Sequence, residues 1–265
     1  MKRGEVMENI NKWGQTLKIK QNPILSQHYP ETVLYSSDNL HDFLNRYTFI
    51  YVKPVSNCKG RGVVQIGTNS NGRYTIKGYT ITGSKIDRET NSLEAVIKVL
   101  HSIYRRTLNS KRYIIQQGIS SVTPDGLALG VRAHIQYVQG KWVLGGMLGK
   151  LANIDSGIVN RNRGAWALPI SQLLLEHLKM DQKQAQKLER EIERVCIEAG
   201  KVFCDENRRI VECGIDIGID QLGKIWVFEV NMIGPSIEFF SYLKDKSIYN
   251  QILANRRKRR FKANG

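Results

Sequence analysis

Short runs of β-branched and aromatic residues, separated by turn residues, fill most of the chain from Tyr47 onward. They fall into two blocks, TFIYVKP to RYTIKGYTITG and RYIIQQGI to KWVLGGML, and a helical pattern follows each block. After the second helical pattern, VECGIDIGI and KIWVFEVN return to strand character. Because such runs favour antiparallel hairpins, the order predicts an α+β fold of two lobes rather than an alternating βαβ sheet.

Three helices are predicted from apolar spacing. Apolar residues at helical intervals from Leu93 to Tyr104 predict a helix over about 91–106. A longer apolar face from Ala185 to Phe203 predicts the longest helix of the chain. A short helix is expected around Leu40 to Arg46.

The chain is predicted to have four segments. These are a lead-in over 1–46, a first lobe over 47–115, a second lobe with the metal site over 116–240, and a basic C-terminal tail over 241–265. A cleft between two lobes is a natural place for a ligand. We therefore expect the functional residues to face such a cleft.

Positive charge is concentrated at the C-terminus. The chain has 40 Lys and Arg against 24 Asp and Glu, a formal net charge of +16. The last ten positions contain Arg256, Arg257, Lys258, Arg259, Arg260 and Lys262. Such a run is either a solvated tail or a surface that adheres to polyanions such as nucleic acid or an anionic surface. No zinc-finger spacing, RNP-like strand or basic zipper accompanies it.

The sequence contains neither a secretory leader nor an apolar stretch of roughly 18 residues that could cross a membrane. The four cysteines form no CxxC pair, which argues against disulfides and a thiolate zinc site. These features predict a cytoplasmic protein with reduced cysteines and no membrane span.

A polar loop after the strand YVKP is a candidate anion site. Gly60 and Gly62 would let backbone N–H groups approach a phosphate without interference from a Cβ. Lys53 would present a charge from the strand, and Lys59 and Arg61 would add charge on the loop. An ordinary hairpin loop is the alternative. The chain has no GxxxxGK[ST] motif, so a P-loop NTPase is unsupported.

Asp216, Glu229 and Asn231 form a candidate metal site. Glu229 and Asn231 point to the same side of one strand, and a four-residue loop over 221–224 would place Asp216 opposite Glu229. Adjacent carboxylates are tolerable when a cation lies between them, and oxygen ligands favour Mg²⁺ or Mn²⁺. The alternatives are the solvent face of an edge hairpin and a glycosidase carboxylate pair.

The order of these motifs resembles the ATP-grasp superfamily. The resemblance covers YVKP with its glycine loop, YIIQQGI, VRAHIQ, IDIGID and FEVN, roughly residues 47–235. HYPET, KPVSNCKGRGVVQI and GIDIGIDQLGKIWVFEVN more narrowly resemble the YheC/YheD group of endospore-coat-associated proteins, in a short form. The resemblance implies a two-lobed ATP-grasp fold with nucleotide and Mg²⁺ in the cleft between the lobes.

The resemblance also implies roles for single residues. Lys53 would contact ATP phosphate, and the loop from Cys58 to Gly62 would close over the β and γ phosphates. The hinge beside adenine would consist of Gln116, Gln117 and Ile119. The groups near the triphosphate and an acyl-phosphate would be Arg132, Lys150 and Asn160. The ligands of one or two Mg²⁺ ions would be Asp216, Glu229 and Asn231.

The activity implied is that of a sporulation-associated, ATP-dependent carboxylate–amine ligase, with the carboxylate and amine substrates left open. The sequence departs from the family's pattern at four places: Gly130 replaces an acid, Gln116 replaces a hinge Glu, Lys150 replaces an Arg, and Gly164-Ala165 replaces a Gly-Gly pair. The departures at Gly130 and Lys150 favour a first alternative, a non-catalytic spore-coat-associated protein that keeps the fold. A second alternative is a polyanion-binding protein that acts through its basic tail, which could also contact the spore coat.

Overall fold

The structure, a computed structural model, describes residues 11–56, 61–104, 112–152, 164–204 and 210–260. The chain divides into two compact units, Met1–Leu17 with Pro30–Ile119 and Lys18–Tyr29 with Ser120–Gly265. Helix α1, Lys12–Gln21, continues from the first unit into the second. Each unit contains one antiparallel sheet with helices, which confirms the predicted α+β class.

The first unit is built on a six-stranded sheet with the order β1-β6-β2-β3-β4-β5. Its strands are β1 (Thr32–Leu34), β2 (Phe49–Pro54), β3 (Val64–Thr68), β4 (Tyr74–Tyr79), β5 (Lys85–Thr90) and β6 (Tyr113–Gln117). Its helices are α2 (Ser37–Arg46) and α3 (Leu93–Ile103). Ser92 caps α3 by accepting a hydrogen bond from the Ala95 backbone N–H at 3.2 Å, so the helix begins two residues later than the sequence predicts.

The core of the first unit lies on one face of its sheet. In β2, Ile50 and Val52 are fully buried and alternate with partly exposed residues, as expected for a strand with one covered face. Phe43 from α2 and Leu100 from α3 belong to the same buried cluster. The opposite face of β2 carries Lys53.

The second unit is built on a five-stranded sheet with the order β11-β10-β7-β8-β9. Its strands are β7 (Ala128–Val138), β8 (Lys141–Ala152), β9 (Trp166–Pro169), β10 (Glu212–Ile219) and β11 (Ile225–Asn231). Its long helices are α4 (Gln182–Cys204) and α5 (Ser247–Arg260). Shorter helical segments are Leu25–His28, Ile170–Gln172, Leu173–His177 and Glu238–Tyr242.

Helices α4 and α5 cover different faces of the second sheet. A Cβ on Gly200 of α4 would lie 2.6 Å from the Ile135 side chain, whereas a Cβ on Gly146 of β8 would lie 2.2 Å from Ile248 of α5. Gly146 pairs with His134, the neighbour of Ile135, and successive strand residues point to opposite faces. The face under α5 carries most of the polar side chains described below. No helix in the described ranges is long and apolar enough to span a membrane.

Candidate active site

The hairpin formed by β10 and β11 brings the predicted metal ligands together. Asp216 pairs with Glu229 across the two strands, which confirms the register read from the sequence. The connection is one residue longer than predicted, because Ile219 pairs with Ile225. An irregularity between Asp216 and Ile217 shifts the register and offsets the longer turn. The pairing is therefore correct although the loop length was wrong.

Asp216 lies at the centre of a charged cluster. Lys150 Nζ donates to Asp216 Oδ1 at 2.7 Å, and Arg132 Nη1 lies 3.2 Å from Oδ2. Asn231 Nδ2 also donates to Oδ2, at 3.2 Å. The side chains of Lys150, Arg132 and Asp216 are 8%, 14% and 21% exposed, so water screens these charges poorly. One carboxylate is thus shared by two cations.

Strand register explains why these residues meet. Asp216 of β10 lies opposite Arg132 of β7, and Lys150 of β8 lies opposite Gly130 of β7. Residues that face each other across antiparallel strands point to the same side of the sheet. Lys150 reaches Asp216 diagonally past Gly130, where an added Cβ would lie at an ordinary contact distance of 3.5 Å from Lys150 Cε.

Asp216 is ionised at neutral pH. Burial by itself would raise the pKa of its carboxyl, but the charges of Arg132 and Lys150 and the hydrogen bonds from Lys150 and Asn231 lower it more. The net result is a pKa below the ordinary value for Asp. The carboxylate is therefore available as an anionic ligand whenever the two cations release it.

Arg132 has unused hydrogen-bonding capacity. Its Nε and Nη1 atoms are buried and make no well-aligned hydrogen bond with the described residues, although Nη1 lies 3.2 Å from Asp216 Oδ2. Buried polar atoms without partners are uncommon in folded proteins, and they often mark the position of a ligand. A planar guanidinium with open donors suits the oxygens of a phosphate or carboxylate. The cluster therefore fits an anionic ligand as well as a cation.

The side chains Asp216, Glu229 and Asn231 also fit a magnesium ion by their chemistry. All three carry oxygen donors, which Mg²⁺ prefers. In the described part of the chain, no three His, Cys, Asp or Glu side chains are grouped as a metal site. A metal held here would thus depend on two carboxylates, one amide and oxygens supplied by a ligand.

Two residues near Asp216 were missed by sequence reasoning. Gly214 lies two positions before it, and a Cβ there would lie 2.8 Å from Arg132 Nη1. Phe239, in the segment Glu238–Tyr242, places its ring 5.8 Å from Lys150 Nζ, in a cation–π arrangement. Gly214 could have been noticed from its position beside Asp216, but no local signal indicates Phe239.

The first unit places Lys53 and Gln116 together. Lys53 Nζ donates to Gln116 Oε1 at 2.5 Å, and Gln116 Nε2 donates to Thr32 Oγ1 at 2.9 Å. Gln116 is only 2% exposed, so both ends of its amide are engaged in a buried position. Its side chain therefore orients Lys53, a role that the sequence did not reveal.

The other predicted nucleotide-binding residues are placed as follows. Arg61 is exposed, whereas Gly62 is buried with a φ of 68° and accepts a hydrogen bond from the Tyr104 hydroxyl at 2.9 Å. Gln117 ends β6 and Ile119 ends the first unit. The predicted residues outside the described ranges are Lys59, Gly60 and Asn160.

A family model and a curated relative match the chain over most of its length. The model for the YheC/D-like ATP-grasp family matches residues 7–258. The endospore coat-associated protein YheD of Bacillus subtilis (strain 168) is 24% identical over 243 residues, which cover 88% of this chain and 50% of the relative. The chain thus spans about half the length of this curated relative. Both matches agree with the resemblance predicted from the sequence.

Solved structures of ATP-grasp type share the fold. D-cycloserine synthetase DcsG matches with a TM-score of 0.53 and 12% identity over 96% of this chain and 71% of that one. The ligase PsnB, in complex with a minimal precursor, Mg and ADP, matches at 0.51 and 14% over 96% and 60%. D-alanyl-alanine synthetase A from Vibrio cholerae matches at 0.52 and 12% over 94% and 60%. At these identities the similarity establishes the fold alone.

Proposed function

We propose that this chain, which belongs to the YheC/D-like ATP-grasp family, binds ATP with Mg²⁺ and uses it to join a carboxylate to an amine. The observation that best supports the proposal is the buried cluster in which Lys150 and Arg132 share Asp216. A buried carboxylate with two cations, one of which has open donors, suits a site that binds a metal and a polyphosphate together.

The hairpin residues Asp216, Glu229 and Asn231 would hold Mg²⁺. When bound, the metal would neutralise charge on the phosphate oxygens during phosphoryl transfer. The pairing of Asp216 with Glu229 supports this assignment, because it places both carboxylates on one face of the hairpin. Asn231 donates to Asp216 and so fixes the orientation of that carboxylate.

Lys150 and Arg132 would exchange partners when ATP binds. In the structure both side chains form ion pairs with Asp216. A triphosphate carries more negative charge than one carboxylate and offers acceptors for the open donors of Arg132. Both cations would then turn to phosphate oxygens, and Asp216 would become available to the metal.

The first unit would contribute Lys53 as a phosphate contact. Its amine is oriented by a hydrogen bond to the amide oxygen of Gln116. We also propose that Arg61 and Gly62, with Lys59 and Gly60, cover the phosphates, and that Gln116, Gln117 and Ile119 lie beside adenine.

The reaction we propose passes through an acyl-phosphate. The carboxylate oxygen of one substrate attacks the γ-phosphorus of ATP, which forms the acyl-phosphate and releases ADP. The amine of the second substrate attacks the acyl carbon, and phosphate leaves as the amide forms. Arg132, Lys150 and Asn160 would stabilise the negative charge on the transferred phosphoryl group.

A second candidate function is nucleotide binding without turnover, in a spore-associated role. Gly130 and Lys150, two of the departures from the family's pattern, face each other across β7 and β8. Lys150 therefore lacks the cross-strand acid that the family's pattern would supply. Two neighbouring positions thus differ together from the pattern, which favours a site that has lost turnover. The name of the B. subtilis relative supports the association with spores.

The proposal is tested by ADP release from the full chain with ATP, Mg²⁺ and pools of amino acids and short peptides. We expect ADP release that requires both a carboxylate and an amine and that is lost in Asp216→Ala. A rise in melting temperature with Mg-ATP but no ADP release from any pool would favour the second candidate. If Mg-ATP left the melting temperature of the wild type unchanged, both candidates would be contradicted, because a ligand that binds the native state must stabilise it.

A further inference from the structure

The C-terminal helix α5 is bonded to the sheet that carries Asp216. Asn255 is 4% exposed and donates from Nδ2 to Gln136 Oε1 at 3.0 Å. Gln136 Nε2 in turn donates to the Ile252 carbonyl at 3.1 Å. These bonds are buried and reciprocal, so they fix α5 in one position on β7. The basic run therefore begins on a docked helix.

Arg256 makes two further contacts from the same helix. Its Nε donates to Glu212 Oε2 at 2.9 Å, and its Nη2 donates to the Pro235 carbonyl at 3.3 Å. Glu212 is the first residue of β10, and His134 Nε2 lies 3.2 Å from the same Oε2 atom. One guanidinium thus connects the start of β10 to the segment that follows β11.

Both contacts of Arg256 lead towards the Asp216 cluster. Glu212 and Asp216 point to the same side of β10, and Gly214 lies between them. A Cβ on Gly214 would lie 2.8 Å from Arg132 Nη1 and 3.1 Å from Pro235 Cβ. Arg132 and Pro235 therefore lie against the same backbone position. Displacement of Pro235 would remove one wall of the space in which Arg132 reaches Asp216.

We propose that Arg256 is a positioning residue for the magnesium and triphosphate site. It ties Glu212 to the Pro235 carbonyl and so fixes both the strand of Asp216 and the segment that follows Asn231. Arginine suits this task because its planar guanidinium serves two acceptors in fixed directions, whereas a lysine amine cannot reproduce that geometry. The inference rests on the proposed function, since it assigns Arg256 to the same site.

The test compares Arg256→Gln with Arg257→Gln. Arg257 is exposed on the same helix, so its replacement removes the same charge without the two contacts. Titration calorimetry would measure the Kd of the non-hydrolysable analogue AMPPNP in the presence of Mn²⁺, and calorimetric melting would measure stability without ligand. We expect Arg256→Gln to weaken binding by about 10-fold to 100-fold, as loss of an outer support typically does. Arg257→Gln should bind like the wild type.

Arg256→Lys keeps the charge and tests the geometry. We expect its affinity for AMPPNP with Mn²⁺ to fall between those of the wild type and Arg256→Gln. If Arg256→Gln does not fold, the affinity of Arg256→Lys tests the inference in its place. If the Gln variant melts at a lower temperature but binds Mn²⁺ and AMPPNP like the wild type, Arg256 is only a stabilising contact and the inference is overturned. If the wild type itself does not bind the pair, the proposed function fails, and that result is separate from any effect of Arg256.

Discussion

Lys150 Nζ and Asp216 Oδ1 lie 2.7 Å apart, with both side chains largely buried. Arg132 contacts the second oxygen of the same carboxylate. The carboxylate of Asp216, the strongest candidate ligand for a metal, is therefore already neutralised by two cationic side chains. A divalent metal ion without a nucleotide must compete with Lys150 and Arg132 for the Asp216 carboxylate. A metal ion bound to a triphosphate brings phosphate oxygens that can bind Lys150 and Arg132 instead.

Lys150→Met should strengthen the binding of Mn²⁺ alone and weaken the binding of AMPPNP. Removing one of the two cations beside Asp216 leaves the carboxylate freer for a metal, so we expect Mn²⁺ to bind about tenfold more tightly, which corresponds to about 1.4 kcal/mol. The nucleotide loses a phosphate contact and should bind about 10-fold to 100-fold more weakly. Calorimetric titrations with each ligand alone would measure both changes.

The control for this variant is Lys201→Met. Lys201 also pairs with a carboxylate, that of Glu198 at 3.3 Å, but its side chain is 55% exposed and lies on α4. Its removal should change neither affinity. If Lys150→Met bound Mn²⁺ more weakly than the wild type, Lys150 would not compete with the metal for Asp216.

Gln116→Glu should reduce the affinity for AMPPNP. The new carboxylate would accept from Lys53 at the position of Oε1 and neutralise its charge, which would then be less available to phosphate. We expect a loss of about tenfold, measured by calorimetry with Mn²⁺ present. Gln65→Glu introduces the same charge on β3, on the other side of β2, where the Gln65 side-chain oxygen lies 3.5 Å from the Tyr51 hydroxyl. Equal losses in both variants would show that only overall charge matters.

Gly214→Ala should disturb ligand binding more than folding. The added methyl would lie 2.8 Å from Arg132 Nη1, a flexible group that can move away, so the loss of stability should stay within about 1–2 kcal/mol. Arg132 would then lose its place beside Asp216, and the affinity for AMPPNP with Mn²⁺ should fall. Gly130→Ala is the matched control, because its nearest atoms would lie at an ordinary 3.5 Å. Equal affinities in the two variants would contradict this role of Gly214.

His134 should make the stability of the second unit depend on pH. Burial lowers the pKa of its imidazole, while Glu212 opposes the shift and the charges of Arg256 and Arg132 add to it. The unfolded chain therefore binds a proton at higher pH than the folded chain. The free energy of unfolding should fall as the pH drops from the ordinary His value of 6.5 towards the lower folded value. Urea titrations at about pH 7 and about pH 5 would measure this slope.

His134→Gln should flatten the pH dependence, whereas His41→Gln should leave it unchanged, because His41 is exposed. Glutamine keeps a donor that can reach Glu212 and removes the titrating group. A slope that remained the same in His134→Gln would assign the pH dependence to other groups.

The sequence predicted the features that depend on strand alternation and short-range order. The β10–β11 hairpin could be read from two adjacent apolar strands, and Asp216 was placed opposite Glu229. That success depended on two deviations that cancel, a longer turn and a shift beside Ile217. Sequence patterns do not specify such irregularities, because a bulge depends on how the strand packs against its neighbours.

The features that sequence reasoning missed depend on contacts between distant segments. Arg256 was assigned to a basic run, yet it bonds to Glu212, which lies 44 positions earlier in the chain. Lys53 and Gln116 were both predicted to contact the nucleotide, but the hydrogen bond between them, across 63 positions of the chain, was not predicted. Neither pairing has a local signature, because both arise only when strands that are distant in sequence become neighbours in a sheet.

Binding of AMPPNP with Mg²⁺ to the wild type and to Asp216→Asn, measured by titration calorimetry, tests the central claim most directly. Asparagine keeps the size of the side chain but removes the charge that would hold the metal. We predict that the wild type binds the pair and that Asp216→Asn binds it at least about tenfold more weakly. Absence of binding by the wild type, or equal affinity in the two proteins, would contradict the assignment of Asp216 to a magnesium–nucleotide site.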